Sequence, residues 1–191
     1  VACGLFNGLL IAKLKIPAFV ATLGMQYCYR ALAYILSAGK PITVSKRNYP
    51  DLFGIGNDSF LGLPILFWVM IVCVIVGTFI LRKTRLGRYT LALGNSERAS
   101  AISGINMDRT LLLVYLLVGL FTAITAIGTV SFLTSSNPGM REGYEFNVIT
   151  AVVLGGTALV GGKGSIVNTM FAALFVCTVT VGMNALMINS Y

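Results

Sequence analysis

Two kinds of residue in this sequence could do chemistry: a glycine-rich run around one lysine, and a few polar side chains inside long apolar stretches. The run is Gly155-Gly156-Thr157-Ala158-Leu159-Val160-Gly161-Gly162-Lys163-Gly164-Ser165. A phosphate-cradling loop of the G-x-x-x-x-G-K-[ST] kind needs a hydroxyl directly after its lysine to reach Mg²⁺, and here Gly164 follows Lys163. Gly162-Lys163-Gly164-Ser165-Ile166-Val167 lacks the last glycine of G-x-G-x-x-G, and no predicted strand precedes it. These glycines therefore read as a tight turn and as points where helices approach closely. Among the polar residues, Thr22, Gln26 and Arg30 recur every four positions, and Thr169, Thr180 and Asn184 fall within about 60° of one another on a helix. Such groups inside a span either line a solute path or hydrogen-bond between helices, and both readings stay open.

Other chemistry is excluded by what the chain lacks. It has no histidine, the commonest general base and transition-metal ligand. No carboxylate pair or base-activated nucleophile is visible, so the expectation is a chain without a catalytic site, metal or bound cofactor. Cys3, Cys28, Cys73 and Cys177 lie in apolar stretches without CxxC spacing and read as small core hydrophobes. A proton-coupled carrier would place an Asp or Glu inside a span, and no predicted span holds one. A sodium-coupled carrier using backbone carbonyls remains as an alternative.

The elements that must position these residues are membrane helices. With 57% hydrophobic and 10% charged residues in 191 and a mean hydropathy of +0.86, the chain has too few polar side chains to cover a soluble fold. Predicted spans run over 17–38, 64–81, 110–132 and 166–188. Residues 1–12 read as the last turns of a truncated helix, since crossing needs about 20 residues. Residues 146–159 form a short descending helix that leads into the glycine turn, and Ser165 caps the next helix. Residues 39–63, punctuated by glycine and proline, and 135–145 read as outer loops. The net charge of +8 follows from basic residues retained on the inner side during insertion, and implies no nucleic acid. Segments 13–15, 82–109 and Lys163 hold nine Lys/Arg against Glu97 and Asp108, whereas the opposite side holds five against four acids, so the former are inner.

The strongest basic cluster is in residues 82–109, which carry six of the fourteen basic residues. Near its middle, Asn95 or Ser96 can cap a two-turn helix over about 96–103, with Glu97 and Arg98 in its first turn and Gly104 as its stop. Ala99, Ile102 and Ser103 share a small face that either enters a groove on a partner or stays solvated.

Arg85-Leu86-Gly87-Arg88-Tyr89, Ala92-Leu93-Gly94-Asn95, Ser103-Gly104-Ile105-Asn106 and the run from Ala151 to Ser165, in this order and spacing, resemble permease subunits of bacterial ABC-type monosaccharide importers. The ribose and galactose permeases are the type, and Pro17-Ala18-Phe19-Val20-Ala21-Thr22-Leu23 fits the same pattern. The resemblance implies an all-α polytopic transmembrane bundle of about ten helices in the bacterial inner membrane. Of these, this chain, a single permease domain over 1–191, lacks the first three, part of the fourth and the last. It implies a second permease copy, most simply a homodimer, an extracytoplasmic sugar-binding protein, and cytoplasmic ATPase subunits that hold ATP and Mg. It also implies that the helix from Ser96 to Ser103 is the coupling helix, with Asn95, Ser96, Glu97, Arg98, Ala99, Ile102, Ser103 and Gly104 at the ATPase contact. Thr22, Gln26, Arg30, Thr169, Thr180 and Asn184 are nominated from their helical angles as the translocation path. Branched-chain amino acids, nucleosides or a signalling sugar are alternative cargoes within the same superfamily.

Overall fold

The computed structural model describes residues 1–44 and 50–186. Lys46 and Arg47, part of the outer charge count, and the end of the span read to residue 188 lie outside the described residues. The described chain forms two compact units.

The first unit takes Val1–Cys73 and Asn106–Met140. It contains α1 (Ala2–Leu14), α2 (Ala18–Ser37), β1 (Ile42–Thr43), α3 (Pro50–Asn57), the hairpin of β2 (Ser59–Phe60) with β3 (Leu63–Pro64), and the start of α4 (Ile65–Lys83). It also holds α7 (Met107–Leu133) and β4 (Ser135–Ser136). At 27 residues, α7 is about 40 Å long, more than the hydrocarbon thickness. Asn106 starts it, its Oδ1 accepting the Arg109 N–H at 3.0 Å. Asn106→Ala is expected to cost about 1 kcal/mol in unfolding free energy, with Asn106→Asp close to wild type, as read by equilibrium unfolding in mixed micelles.

Packing in this unit is made by small residues. A Cβ on Gly4 would sit 2.6 Å from the Tyr115 carbonyl oxygen and 2.8 Å from Gly119 Cα, and one on Gly8 would sit 3.1 Å from Tyr115 Cβ. Gly4 and Gly8 are thus a G-x-x-x-G stripe that brings the backbone of α1 onto α7. Tyr29 ties α2 to α1, its hydroxyl lying 3.1 Å from both the Cys3 carbonyl oxygen and Asn7 Oδ1. Gly56 of α3 lies against the Ser131 and Phe132 backbone of α7. The Asn57 amide donates to the Ser131 carbonyl at 3.4 Å. Trp68 donates Nε1–H to the Phe60 carbonyl at 3.1 Å and holds the hairpin to α4. β1 pairs antiparallel with β4, Ile42 opposite Ser136.

The second unit takes Val74–Ile105 and Arg141 onward. It holds the rest of α4, α5 (Arg85–Asn95), α6 (Glu97–Ile102), α8 (Tyr144–Leu154) and α9 (Ile166–Ala185). Ser165 caps α9, its Oγ accepting the Asn168 N–H at 3.4 Å. Gly155 of the turn after α8 lies against α9, where a Cβ would be 2.6 Å from Thr169 Cα.

Among the described residues no large side chain is fully buried, and the buried apolar residues are Ile11, Ala12, Ala151 and Ala172. Phe19, Ile35 and Phe171 are all more than 60% exposed. A bilayer accommodates such side chains, so the closest backbone approaches between helices fall to glycines such as Gly4, Gly56 and Gly155. This is the all-α architecture of a polytopic membrane protein, with α4, α7 and α9 long and apolar enough to cross.

Several expectations change. The 39–63 stretch is not all loop: α3 and a hairpin lie within it. The 146–159 helix ends at Leu154, because Gly156 at φ +80° puts the chain in the left-handed region. There the Thr157 N–H donates to the Val152 carbonyl and the Gly156 N–H to the Val153 carbonyl, closing a Schellman stop. α2 has the length of a span at 20 residues but not the apolarity of the other three, because Gln26 and Arg30 lie within it. Cys3, Cys28 and Cys177 are on exposed helix faces rather than in a core, as expected where the outward face is itself apolar.

Candidate functional site

The segment 82–109 folds as two helices, of which the sequence pattern had suggested one. Thr84 starts α5: its Oγ1 donates to the Ile80 carbonyl at 2.6 Å and accepts the Gly87 N–H at 3.4 Å. Leu86, Tyr89, Thr90 and Leu93 follow an i, i+3, i+4, i+7 pattern that could have identified this helix. Gly87 and Gly94, ordinarily unfavourable inside a helix, obscured it. Both serve close approach. A Cβ on Gly87 would meet the Ile80 and Leu81 carbonyls where α5 folds back on α4, and one on Gly94 would meet Gly161 and Gly162.

Ser96 joins α5 to α6 with no spacer. Its N–H donates to the Ala92 carbonyl at 3.1 Å, and its Oγ accepts the Ala99 N–H at 3.2 Å. Glu97 lies in the first turn of α6, where its charge suits the helix dipole. The stop is a Schellman motif: the Ile105 N–H donates to the Ser100 carbonyl and the Gly104 N–H to the Ala101 carbonyl, with Gly104 at φ +76°. Ser100 faces inward at 4% exposure, while Ile102 is 84% exposed. Asn95, Ser96, Glu97, Arg98, Ala99, Ser103 and Gly104 are also exposed. Ala99, Ile102 and Ser103 thus project from a short helix fixed at both ends.

The second feature is an open cavity of about 240 Å³ between α8 and α9, lined by Tyr144, Asn147 and Ala151 on one side and Thr169, Cys177 and Thr180 on the other. It unites two of the nominated path residues, Thr169 and Thr180. Asn184 is exposed one turn further along and does not line it. Thr22, Gln26 and Arg30 are half-buried on α2, in the first unit. Tyr144 and Asn147 were missed, although Tyr144, Asn147 and Ala151 share one face of α8 at helical spacing. The Arg141 guanidinium lies 4.7 Å from the Tyr144 ring centre, a cation–π contact at the end of the cavity.

The hydroxyls have a common geometry. Thr22, Thr169 and Thr180 each donate to the carbonyl four residues back, at 2.9 Å. Their protons are engaged, so the oxygens are left as acceptors, that of Thr169 lying 3.5 Å from Thr157 Oγ1. Among the described residues no three or more His, Cys, Asp or Glu converge.

The family model described as "Branched-chain amino acid transport system / permease component" matches residues 1–191. The chain is 40% identical over 191 residues to the ribose import permease protein of Escherichia coli K12, covering all of this chain and 60% of that protein. It is 40% identical over 186 residues to the ribose import permease protein of Bacillus subtilis 168, covering 97% of this chain and 57% of that one. To the L-arabinose transport system permease protein of E. coli K12 it is 40% identical over 185 residues, 97% of this chain and 56% of that one. The chain therefore spans up to 60% of the length of these curated relatives. No solved structure matches it. With the family model matched from end to end and three long apolar helices in place, the chain belongs to the permease-component family of these transport systems.

Proposed function

We propose that the chain is part of the permease subunit of an ATP-driven, binding-protein-dependent importer of a monosaccharide such as ribose or galactose. The observation that carries this reading is 40% identity over essentially the whole chain to permeases whose names specify ribose and L-arabinose. The protein lies in the bacterial inner membrane with segment 82–109 on the cytoplasmic side, as the distribution of basic residues supports. It pairs with a second permease copy, receives sugar from an extracytoplasmic binding protein and binds cytoplasmic ATPase subunits, which hold the ATP and Mg. Asn95 to Gly104 form the ATPase contact, and α6 moves when the ATPase pair closes, changing which side of the bundle is open. Thr22, Gln26, Arg30, Thr169, Thr180 and Asn184 belong to the path, joined by Tyr144 and Asn147. The chain itself performs no hydrolysis.

Co-purification of the full-length protein tests the reading: an ATPase should accompany it, and loaded binding protein should stimulate ATP hydrolysis. Uptake into vesicles by this protein alone, driven by an ion gradient, would instead identify a secondary carrier. Because the family description names branched-chain amino acids, the competitor panel for uptake includes leucine beside ribose, arabinose and galactose. A pentose should compete and leucine should not. Gly104→Val, a β-branched residue at a left-handed position, should disturb the stop of α6 by about 1–2 kcal/mol and reduce uptake while leaving membrane insertion intact.

A further inference from the structure

The glycine-rich run is a junction as well as a turn. Gly161 (φ +99°) and Gly162 (φ +80°) lie against Gly94 at the end of α5, where a Cβ on Gly161 would be 2.8 Å from Gly94 Cα and 3.1 Å from its carbonyl oxygen. Gly94 and Gly161 meet backbone on backbone, and Gly162 also lies against the Asn95 side chain, so no space is left between the two segments to absorb a displacement. The contacts on either side are equally short. Toward α6, Ser96 closes α5 and opens α6 with its own N–H and hydroxyl. Toward the cavity, the Ala158 N–H donates to the Lys163 carbonyl and the Gly155 N–H to the Ala151 carbonyl, fastening the turn to itself and to α8. Gly155 then lies against Thr169, whose Oγ1 is 3.5 Å from Thr157 Oγ1. Thr169 and Ala151 both line the cavity, and every link lies within the second unit.

We infer that Gly94, Gly161 and Gly162 are positioning residues that carry a displacement of α6 to the cavity between α8 and α9. This rests on the proposed role of α6 as the ATPase contact. Close-packed contacts of this kind do not deform smoothly, so movement at one end must be answered at the other. Gly94→Ala separates this role from helix formation, because alanine is the better helix former and Gly94 has an ordinary helical φ. Its only cost is the Cβ directed at Gly161 and Gly162.

The readout is Cys177, an exposed thiol lining the cavity. In the full-length protein with its ATPase, and with Cys177 as the sole cysteine, its reaction rate with a small methanethiosulfonate is measured with and without ATP. The wild-type glycine should give a change of about fivefold or more. Gly94→Ala should retain ATPase association and the nucleotide-free rate but lose the ATP-dependent change. Gly182→Ala, a helical glycine on α9 with nothing within 4 Å, should behave as wild type. If Gly94→Ala does not reach the membrane, Gly155→Ala interrupts the same link at α9 and should show the same loss. A full ATP response in either inserted variant overturns the inference and leaves the proposed function standing. No ATP response in a wild type that still binds its ATPase overturns the inference alone, whereas failure of any ATPase to associate removes the proposed function on which it rests.

Discussion

Gly4→Val in the full-length protein is expected to lower its unfolding free energy by about 3 kcal/mol, at the upper end of what overpacking costs. Its neighbours explain the size of the effect. A Cβ at Gly4 meets the Tyr115 carbonyl oxygen at 2.6 Å and Gly119 Cα at 2.8 Å, backbone atoms that cannot rotate away, so α1 and α7 must separate. Gly24→Val on α2, where nothing lies within 4 Å, controls for adding a β-branched residue to a helix and should cost under about 1 kcal/mol. Gly119→Val should resemble Gly4→Val, and the double variant should cost less than the sum, since once the helices part the second side chain enters space already opened. Equilibrium unfolding in mixed micelles reads all four. Equal midpoints for Gly4→Val and Gly24→Val would mean that α1 and α7 are not in backbone contact.

Ile102→Asp should weaken ATPase association by about 2 kcal/mol, roughly thirtyfold, with little effect on folding. Ile102 is 84% exposed on a helix whose two caps are independent of its side chain. Removing it leaves no hole in this chain, while a partner groove would lose an apolar contact and gain a carboxylate to desolvate. Ala99→Glu, on the same face, should act in the same direction. The measurement is a binding titration of purified ATPase against the reconstituted permease. Unchanged affinity together with normal sugar-stimulated hydrolysis in Ile102→Asp would place the ATPase contact elsewhere than α6.

Much of this architecture is legible where a local pattern suffices. Charge-free runs located α4, α7 and α9 to within a few residues, and Ser96, Glu97 and Gly104 marked α6 because caps and stops are local chemistry. What escaped depends on pairs distant in sequence or on glycine's double meaning. The G-x-x-x-G of Gly4 and Gly8 was in plain view, but its partner, Gly119, is more than a hundred residues away. Gly87 and Gly94 weakened the helix pattern of α5 for the same reason that they matter: each holds open a space for another backbone. β1 and β4 are two residues each, too short for alternation to register. At the cavity, helical angle grouped Thr169, Thr180 and Asn184. Only the facing helix α8 decides which of them line the space, and it brings Tyr144 and Asn147 instead of Asn184.

The inward-bonded threonines determine what kind of polar surface these helices offer. Along α7, Thr122, Thr125 and Thr129 repeat the arrangement of Thr22, Thr169 and Thr180, each hydroxyl donating to the carbonyl four residues back. A polyol must then be the donor in nearly every contact with such residues and can take little from them in return. Under the proposed function, contacts half-matched in this way would hold a sugar in a shallow well, which it leaves as readily as it enters.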